Sequence, residues 1–334
     1  MMNNFPELTR LILSAYSVNG IGSKKLISFL RTNPLDTITS DSLINFFKIS
    51  SINWEKSCDI ASKILEDCFS MSITPIVFST EKYPKQLENI EDPPPVLYVK
   101  GDINALSEKA VAVIGSREAN KFSVRAAFEL GKFFSNRNIP VVSGLALGCD
   151  TEGHRGTLAT ENGKTVAVLA HGLDYVYPAK NRDLADQILS KNGALVSEYA
   201  PRVKPFRSYF VQRDRLQSGL SRATIVVQTK VDGGSMHTAN FCLKQNRILA
   251  ACDPKPNPEQ HLFTGNFELI STKKAMPVTL ESDLFKLYDL IIKDEIQDTK
   301  PIKIEHTYIT TINSVSNKHI SNNRSRTPVQ LSLI

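Results

Sequence analysis

The sequence predicts an α/β protein built on a doubly wound, Rossmann-like and mostly parallel sheet, preceded by a small all-helical domain and followed by a disordered tail. Three observations predict this architecture. Short β-branched apolar runs alternate with helix-length segments in the middle of the chain, apolar residues recur at helical spacing before them, and the chain ends in a segment rich in Ser, Asn, Lys and Arg. A length of 334 residues with 41% apolar content suits about two globular domains.

Residues 1–75 are predicted to form the helical domain, because LTRLILSAY and KKLISFL have the spacing of amphipathic helices. Between them lies Val18–Lys25, where Gly20 and Gly22 allow a tight turn and Ser23 is the predicted N-cap. Such a helix–hairpin–helix can present backbone N–H groups to a phosphate. A plain helix–helix turn explains the same residues, and the two interpretations stay open.

Residues 76–280 are predicted to form the Rossmann-like domain. Three prolines at 93–95 break any helix, and residues 96–101 then have the pattern of a short strand and turn. Six further apolar runs are predicted to be the strands of the parallel sheet: 110–115, 139–144, 165–170, 194–198, 223–228 and 247–252. A last helix is predicted from Leu280 to about Ile296, within a third region at 281–334 that ends in the basic tail.

Three turns that follow predicted strands combine glycine with serine or a basic residue, at Gly115-Ser116-Arg117, Ser143-Gly144 and Asp232-Gly233-Gly234-Ser235. In open α/β sheets, ligands bind at the carboxyl ends of the strands, beside helix N-termini. Glycine allows a phosphate to approach the backbone, and the helix dipole favours negative charge. The turns therefore predict an anion site, although glycines can also serve only a tight turn.

Basic charge is concentrated in two places. The net charge is +6, but residues 202–222 alone carry six Lys or Arg against Asp214, and residues 299–334 carry five against Glu305. In the first segment the cations alternate with Phe206, Tyr209 and Phe210. Bases can stack on such rings while arginines hold phosphates, so the pattern suits single-stranded nucleic acid. A solvated charged face over a few core aromatics is the alternative.

Most enzyme and cofactor classes lack their motifs here. No G-x-G-x-x-G follows Ile114, and Gly163-Lys164-Thr165 lacks the first glycine of a phosphate-binding P-loop. His154 and His171 are expected to be structural, and five cysteines without C-x-x-C spacing suit reduced thiols. No apolar run is long enough for a membrane helix, and no secretory signal is expected. We therefore expect a cytoplasmic protein with no catalytic residues, metal or cofactor.

Several separate segments, in this order, resemble the DprA/Smf family of bacterial DNA-processing proteins. They include YPKQLENIEDPPPVLYVKGD, VAVIGSREA, SGLALGCDTEGHRGTL, TVAVLAHGLDYVYPAKNRDL, FVQRDRLQSGLS and ATIVVQTKVDGGSMHTA. The resemblance implies an extended Rossmann fold that binds and protects single-stranded DNA, loads a RecA-type recombinase during DNA uptake, and forms a homodimer. No catalytic turnover is implied.

Carried over to this sequence, the resemblance implies these DNA-contacting residues: Gly115, Ser116, Arg117, Ser143, Gly144, Arg213, Arg215, Gly233, Gly234, Ser235 and Thr238. The sequence also departs from the family pattern. Leu147 stands in place of an arginine, Cys149 in place of an isoleucine, Asp214 in place of an asparagine, and Gln228 where glutamate is common.

Two other functions remain open for the same fold, a mononucleotide sensor and a nucleoside monophosphate hydrolase of the LOG type. The LOG enzymes carry a glutamate three residues after the threonine of their glycine-rich segment. Here that threonine is Thr238, and Phe241 occupies the place of the glutamate, which argues against hydrolysis.

The last five residues, Gln330-Leu331-Ser332-Leu333-Ile334, resemble the peptide motif that binds the bacterial sliding clamp. In that use Leu331, Leu333 and Ile334 would be its apolar anchors, while the Gln330 amide hydrogen-bonds at the rim of the pocket. A chance match of five residues is the alternative.

Overall fold

The structure is a computed structural model that describes residues 5–106, 109–254 and 259–293. Within these residues nine strands form one sheet. In chain order they are β1 (Ile73–Val77), β2 (Val96–Gly101), β3 (Val111–Ile114), β4 (Val141–Ser143), β5 (Thr165–Val168), β6 (Ala194–Ser197), β7 (Ala223–Val226), β8 (Ile248–Cys252) and β9 (Met276–Val278). Across the sheet the order is β1-β2-β6-β5-β4-β3-β7-β8-β9. The two pairings made by β2, with β1 and β6, are antiparallel and the other six are parallel, so the predicted mostly parallel sheet is confirmed.

Twelve α-helices are present in the described residues: α1 (Glu7–Ser17), α2 (Ser23–Thr32), α3 (Ser40–Phe47), α4 (Ser51–Ser70), α5 (Lys85–Glu88), α6 (Lys121–Ser135), α7 (Cys149–Leu158), α8 (Arg182–Ser190), α9 (Arg207–Gly219), α10 (Ser235–Lys244), α11 (Thr264–Ser271) and α12 (Glu281–Ile292). They cover both faces of the sheet. Val113 of β3 packs in a core with Leu130 of α6 and Leu287 of α12. Its neighbour Ile114 points to the opposite face and packs in a core with Cys242 of α10. The sheet is therefore doubly wound.

All seven predicted strands are present, as β2 to β8. The two strands that sequence reasoning missed, β1 and β9, are the edges of the sheet, and each contains a proline, Pro75 and Pro277. Proline cannot donate a ladder hydrogen bond and is therefore confined largely to edge strands. Proline therefore makes these two strands difficult to recognise from sequence, but it is compatible with their position at the edges of the sheet.

The N-terminal helices share a core with the sheet. Ile12 of α1 and Leu65 of α4 belong to the same buried cluster as Leu97 of β2 and Leu216 of α9. The strand β1 spans the boundary predicted at residue 75 and packs against α1 and α4. The helical segment is therefore continuous with the sheet through one buried core.

The hairpin between α1 and α2 differs from the prediction in its cap. Gly20 has a φ of 89°, and Gly22 is the N-cap of α2. Ser23 is the first residue of the helix, so the prediction that it is the N-cap is wrong by one position.

The C-terminal helix α12 lies within the segment predicted to be helical after Leu280. The rest of the third region, including the basic tail and residues 330–334, lies outside the described residues. None of the helices that the structure describes is both long and apolar enough to cross a membrane.

The strand order reverses between β3 and β7. From β3 the chain proceeds through β4, β5 and β6 on one side, whereas from β7 it proceeds through β8 and β9 on the other side. At such a switch point the loops that follow the two strands separate toward opposite faces and leave a crevice at the carboxyl edge of the sheet. The fold therefore places the loops after Ile114 and Val226 at its natural ligand position.

Candidate nucleic-acid interface

A cleft of about 830 Å³ opens at this point, and we call it the switch-point cleft. It is formed by the loops after β3 and β7, the start of α10, and the N-terminal part of α9 with the residues before it. Eight predicted site residues line it: Gly115, Ser116, Arg117, Arg213, Gly233, Gly234, Ser235 and Thr238. Ser143, Gly144 and Arg215 are not among its lining residues.

The loop after β7 leads directly into the N-terminus of α10. Gly234 is the N-cap, and no side chain caps the helix there. A Cβ added to Gly234 would have no atom within 4 Å, so this part of the backbone is open to the cleft. The first N–H groups of a helix carry partial positive charge and favour an anion. The exposed Lys230 from the same loop adds a full charge beside them.

The loop after β3 presents Arg117. Its side chain is exposed, and its guanidinium carbon lies 5.4 Å from the centre of the Phe210 ring. The N–H of Ser116 donates to the carbonyl of Gln228 at 2.8 Å, which ties this loop to the end of β7. The two loops that carry Arg117 and Lys230 are thus held together at the base of the cleft.

Aromatic side chains form the wall opposite the glycine turns. Phe206 and Tyr177 are 66% and 49% exposed, and the rings of Tyr177 and Phe210 have centres 6.0 Å apart. Arg207, also exposed, lies beside Phe206 as the first residue of α9. A wall with exposed rings and a cation can stack bases and hold the phosphates between them.

Ala146 and Asp150, which follow β4, line the cleft, but the predicted Ser143 and Gly144 do not. Ser143 is fully buried and donates to the carbonyl of Val113 at 2.7 Å. The N–H groups of Gly144 and Ala146 donate to the Asp150 carboxylate at 3.0 and 3.4 Å. An internal carboxylate therefore accepts from the backbone N–H groups of this turn.

Gly144 is needed for packing instead. A Cβ at this position would overlap the Arg213 guanidinium, which lies directly against the backbone of the turn. The glycine therefore allows a close approach between the turn and a buried side chain of the same protein.

Arg213 lines the cleft, but its guanidinium is turned into the protein. It is 5% exposed, donates to the carbonyls of Gly144 and Val168, and has its Nε 3.2 Å from Asp214. These hydrogen bonds hold the loop after β4 in place.

The structure does not bring Arg215 into the cleft beside Arg213, although the resemblance implies that both contact DNA. Residues two apart on a helix project in nearly opposite directions. Arg215 points away from the cleft and forms a two-pronged ion pair with Glu198 at 2.6 and 2.8 Å. Its Nε lies 2.9 Å from an Asp92 carboxylate oxygen, and Arg215 is only 5% exposed. It therefore joins α9 to two loops and stabilises the fold.

The free positive charge is smaller than the sequence indicates. Arg202 forms an ion pair with Asp67 at 2.6 Å, and Arg222 donates to the carbonyls of Ile291 and Lys293 at the end of α12. Arg213 and Arg215 are also engaged. The cations of residues 202–222 that have no such partner in the described part of the chain are Lys204 and Arg207.

Two acids that line the cleft, Asp150 and Asp214, are largely buried. Burial raises the pKa of Asp214 to about 6, although the neighbouring Arg213 favours its charged form. Burial also raises the pKa of Asp150, against the opposing effects of Arg213 and two backbone N–H groups. With Glu118 and Asp232 at the rim, these groups balance part of the basic charge of the cleft. The cleft therefore has no strong overall positive field, and its exposed cations are local features of its surface.

His154 and His171, the two histidines predicted to be structural, are buried inside the protein. His154 is fully buried with Nδ1 2.7 Å from the Thr165 hydroxyl, and burial lowers its pKa to about 3. His171 stacks on Tyr175 with ring centres 4.5 Å apart. In the described ranges no group of three or more His, Cys, Asp or Glu could hold a metal ion.

Sequence reasoning missed Lys230 and Tyr177 as residues of the cleft. Both follow predicted strands, β7 and β5, at the carboxyl edge. The rule that selected the glycine turns would also have selected them, had it been applied to every residue type after each strand.

Comparison with known proteins places this geometry in a family. The family model for DNA recombination-mediator protein A matches residues 74–289. DNA processing protein DprA from Bacillus subtilis is 36% identical over 190 residues, which cover 57% of this chain and 63% of that relative. The chain thus matches less than two thirds of the relative's length.

Solved structures give the same result. DNA processing protein A from Streptococcus pneumoniae superposes with a TM-score of 0.71 at 26% identity, over 83% of this chain and 97% of that one. The Helicobacter pylori protein, described by its single-stranded DNA binding mode, superposes with a TM-score of 0.58 at 27% identity. That match covers 66% of this chain and 97% of the other.

Proposed function

Because this chain belongs to the DNA recombination-mediator protein A family, we propose that its switch-point cleft binds single-stranded DNA without sequence preference. One observation carries the proposal: exposed cations and exposed aromatic rings converge on an uncapped helix N-terminus at the switch point of the sheet. The Helicobacter pylori relative, named for its single-stranded DNA binding mode, supports the choice of ligand.

Phosphates are bound by Arg117, Arg207 and Lys230 and by the backbone at Gly233 and Gly234. These three side chains are exposed, and none has an ion pair within the described residues. The hydroxyls of Ser116, Ser235 and Thr238 are secondary contacts. Cations set 5.4 Å from a ring, as Arg117 is from Phe210, can follow a backbone while the ring takes a base.

Bases stack on Phe206, Phe210 and Tyr177. Every base has a π-face, so stacking holds a strand without reading its sequence and contributes about 1–3 kcal/mol per base. Paired bases in a duplex have no free face to offer. The aromatic wall therefore selects single strands over duplex.

Arg213 and Asp150 do not contact DNA directly in this proposal. They hold the backbone of the loop after β4, through the carbonyl and the N–H of Gly144. The rigid loop after β4 reduces the ordering cost of binding. Arg215, Glu198 and Asp92 stabilise α9 and the overall fold instead.

The wider role follows from family membership. The bound strand is protected and handed to a RecA-type recombinase, and the protein acts as a homodimer in the cytoplasm. The tail adds a second partner, the sliding clamp, through Gln330, Leu331, Leu333 and Ile334. No catalytic turnover is part of the proposal, since Phe241 stands where a LOG-type hydrolase needs a carboxylate.

Fluorescence anisotropy with a labelled oligothymidine over a salt series tests the DNA-binding function. Arg117→Ala is expected to weaken binding and to lower the slope of log affinity against log salt by about 0.7 unit, the value for one contact to a single-stranded phosphate. Arg125→Ala on α6, another exposed arginine outside the cleft, is the matched control and should leave both unchanged.

Competition separates the alternatives. Unlabelled single strands should displace the probe, whereas duplex and nucleoside monophosphates should not. Displacement by a mononucleotide at similar concentration, or equal behaviour of the Arg117 and Arg125 variants, contradicts the proposal.

A further inference from the structure

Gln228 lies between the two loops of the switch-point cleft and is almost fully buried. It lies two residues after the end of β7 and is 2% exposed. Its side chain crosses to the neighbouring loop after β3, where Oε1 accepts from the N–H of Asn120 at 3.0 Å and Nε2 donates to the carbonyl of Glu118 at 3.2 Å. With the Ser116 N–H bonded to its main-chain carbonyl at 2.8 Å, Gln228 makes three hydrogen bonds to the loop that carries Arg117.

Both side-chain bonds require a carboxamide. One end must accept from an N–H and the other must donate to a C=O, and a carboxamide does both at neutral pH whereas a carboxylate only accepts. A carboxylate of the same shape keeps the bond from Asn120 but turns a lone pair toward the carbonyl of Glu118. Losing a hydrogen bond of this partly buried kind costs about 0.5–1.5 kcal/mol.

Arg117 depends on this loop for its position. In the described residues its side chain contacts the Phe210 ring but has no ion pair. The far end of the loop is fixed separately, because Asn120 caps α6 by accepting from the Ser123 N–H at 2.9 Å. Between these ends the stretch is held by the Gln228 side chain, and the Cys149 N–H also donates to the Ser116 carbonyl at 3.1 Å.

We propose that Gln228 is a positioning residue for DNA binding, which fixes the loop so that Arg117 projects into the cleft beside Phe210. The inference rests on the proposed function, since it concerns how Arg117 reaches a phosphate. Under this proposal, Gln228 affects DNA affinity only by positioning Arg117.

A double-mutant cycle tests this coupling. Gln228→Glu should weaken binding of the labelled oligothymidine about fivefold, the equivalent of one lost hydrogen bond of about 1 kcal/mol. In an Arg117→Ala background the same change should alter affinity by less than about twofold, because the residue it positions is gone. Gln228→Ala, which loses both side-chain bonds, should weaken binding at least as much in the wild-type background.

The pH dependence of DNA affinity distinguishes a positioning role of Gln228 from a merely structural one. Once protonated, the carboxyl group that Gln228→Glu introduces can donate to the Glu118 carbonyl again. The Gln228→Glu variant should therefore recover affinity relative to wild type as pH falls through the range where that carboxyl is protonated. Gln228→Ala should show no recovery.

The outcomes distinguish the two proposals. If Arg117→Ala loses affinity and Gln228→Glu does not, or if Gln228→Glu loses equally in both backgrounds, the positioning role is overturned while DNA binding in the cleft stands. If Arg117→Ala binds like wild type, both proposals are overturned.

Discussion

Replacing Arg215 with alanine should unfold the protein more easily without removing a DNA contact. The substitution leaves the Glu198 carboxylate, whose side chain is 11% exposed, without its two-pronged partner. Asp92 loses the same partner but is 42% exposed, so water compensates for most of that loss. The cost therefore comes mainly from Glu198.

The expected loss of unfolding free energy is about 3 kcal/mol, the lower end of the range for breaking a buried ion pair. For a protein of 334 residues, with an unfolding entropy of about 2.1 cal/mol/K per residue, this corresponds to a fall in Tm of about 4 °C.

Arg207→Ala is the matched control, since Arg207 is on the same helix but exposed and lines the cleft. Thermal melts followed by circular dichroism, together with anisotropy titrations below the lower Tm, should show opposite patterns. Arg215→Ala should lose stability and keep its affinity, whereas Arg207→Ala should keep its stability and lose affinity. An Arg215 variant with wild-type Tm and weakened DNA binding refutes the assignment.

The remaining predictions concern a glycine, an acid and the tail. Gly234→Val should weaken DNA binding with little change in Tm, because a Cβ at this position has no protein atom within 4 Å. Gly144→Ala should lower Tm, because its Cβ would overlap the Arg213 guanidinium. Thermal melts and DNA titrations of both variants check these expectations. Asp214 has a folded pKa of about 6, above its ordinary value of 3.8, so the folded state keeps a proton that the unfolded chain releases. Its contribution should make the protein up to about 3 kcal/mol more stable as pH falls from about 6 to 4, and denaturant titrations across that window should show that Asp214→Asn removes this slope. Full-length protein should be retained on immobilised sliding clamp and a chain that stops at Val329 should not; equal retention of both would exclude the motif at residues 330–334.

The fold could be predicted where the residue pattern of a strand is typical of its position in the sheet. Runs such as AVAVIG and ATIVVQ are buried on both faces, so they lack alternation and are recognised as parallel strands. The edge strands were missed because Pro75 and Pro277 are typical of loops until the sheet edge is known.

Sequence reasoning indicated where in the fold the candidate cleft lies, but not which side chains are free within it. The carboxyl-edge rule found the turns at Gly115 and Gly234, because it depends only on strand direction. Which cations are free depends on partners distant in sequence, such as Asp92 for Arg215. The local pattern also could not show that Asp150 fills the turn after β4.

Photocrosslinking tests most directly whether the switch-point cleft is the DNA site. A single strand that contains 5-bromouracil would be irradiated with the full-length protein, and the attached peptides identified by mass spectrometry. We expect attachment at Tyr177, Phe206 or Phe210, the rings exposed in the cleft. Attachment confined to the N-terminal helices or to the tail, with none on these peptides, would contradict the account.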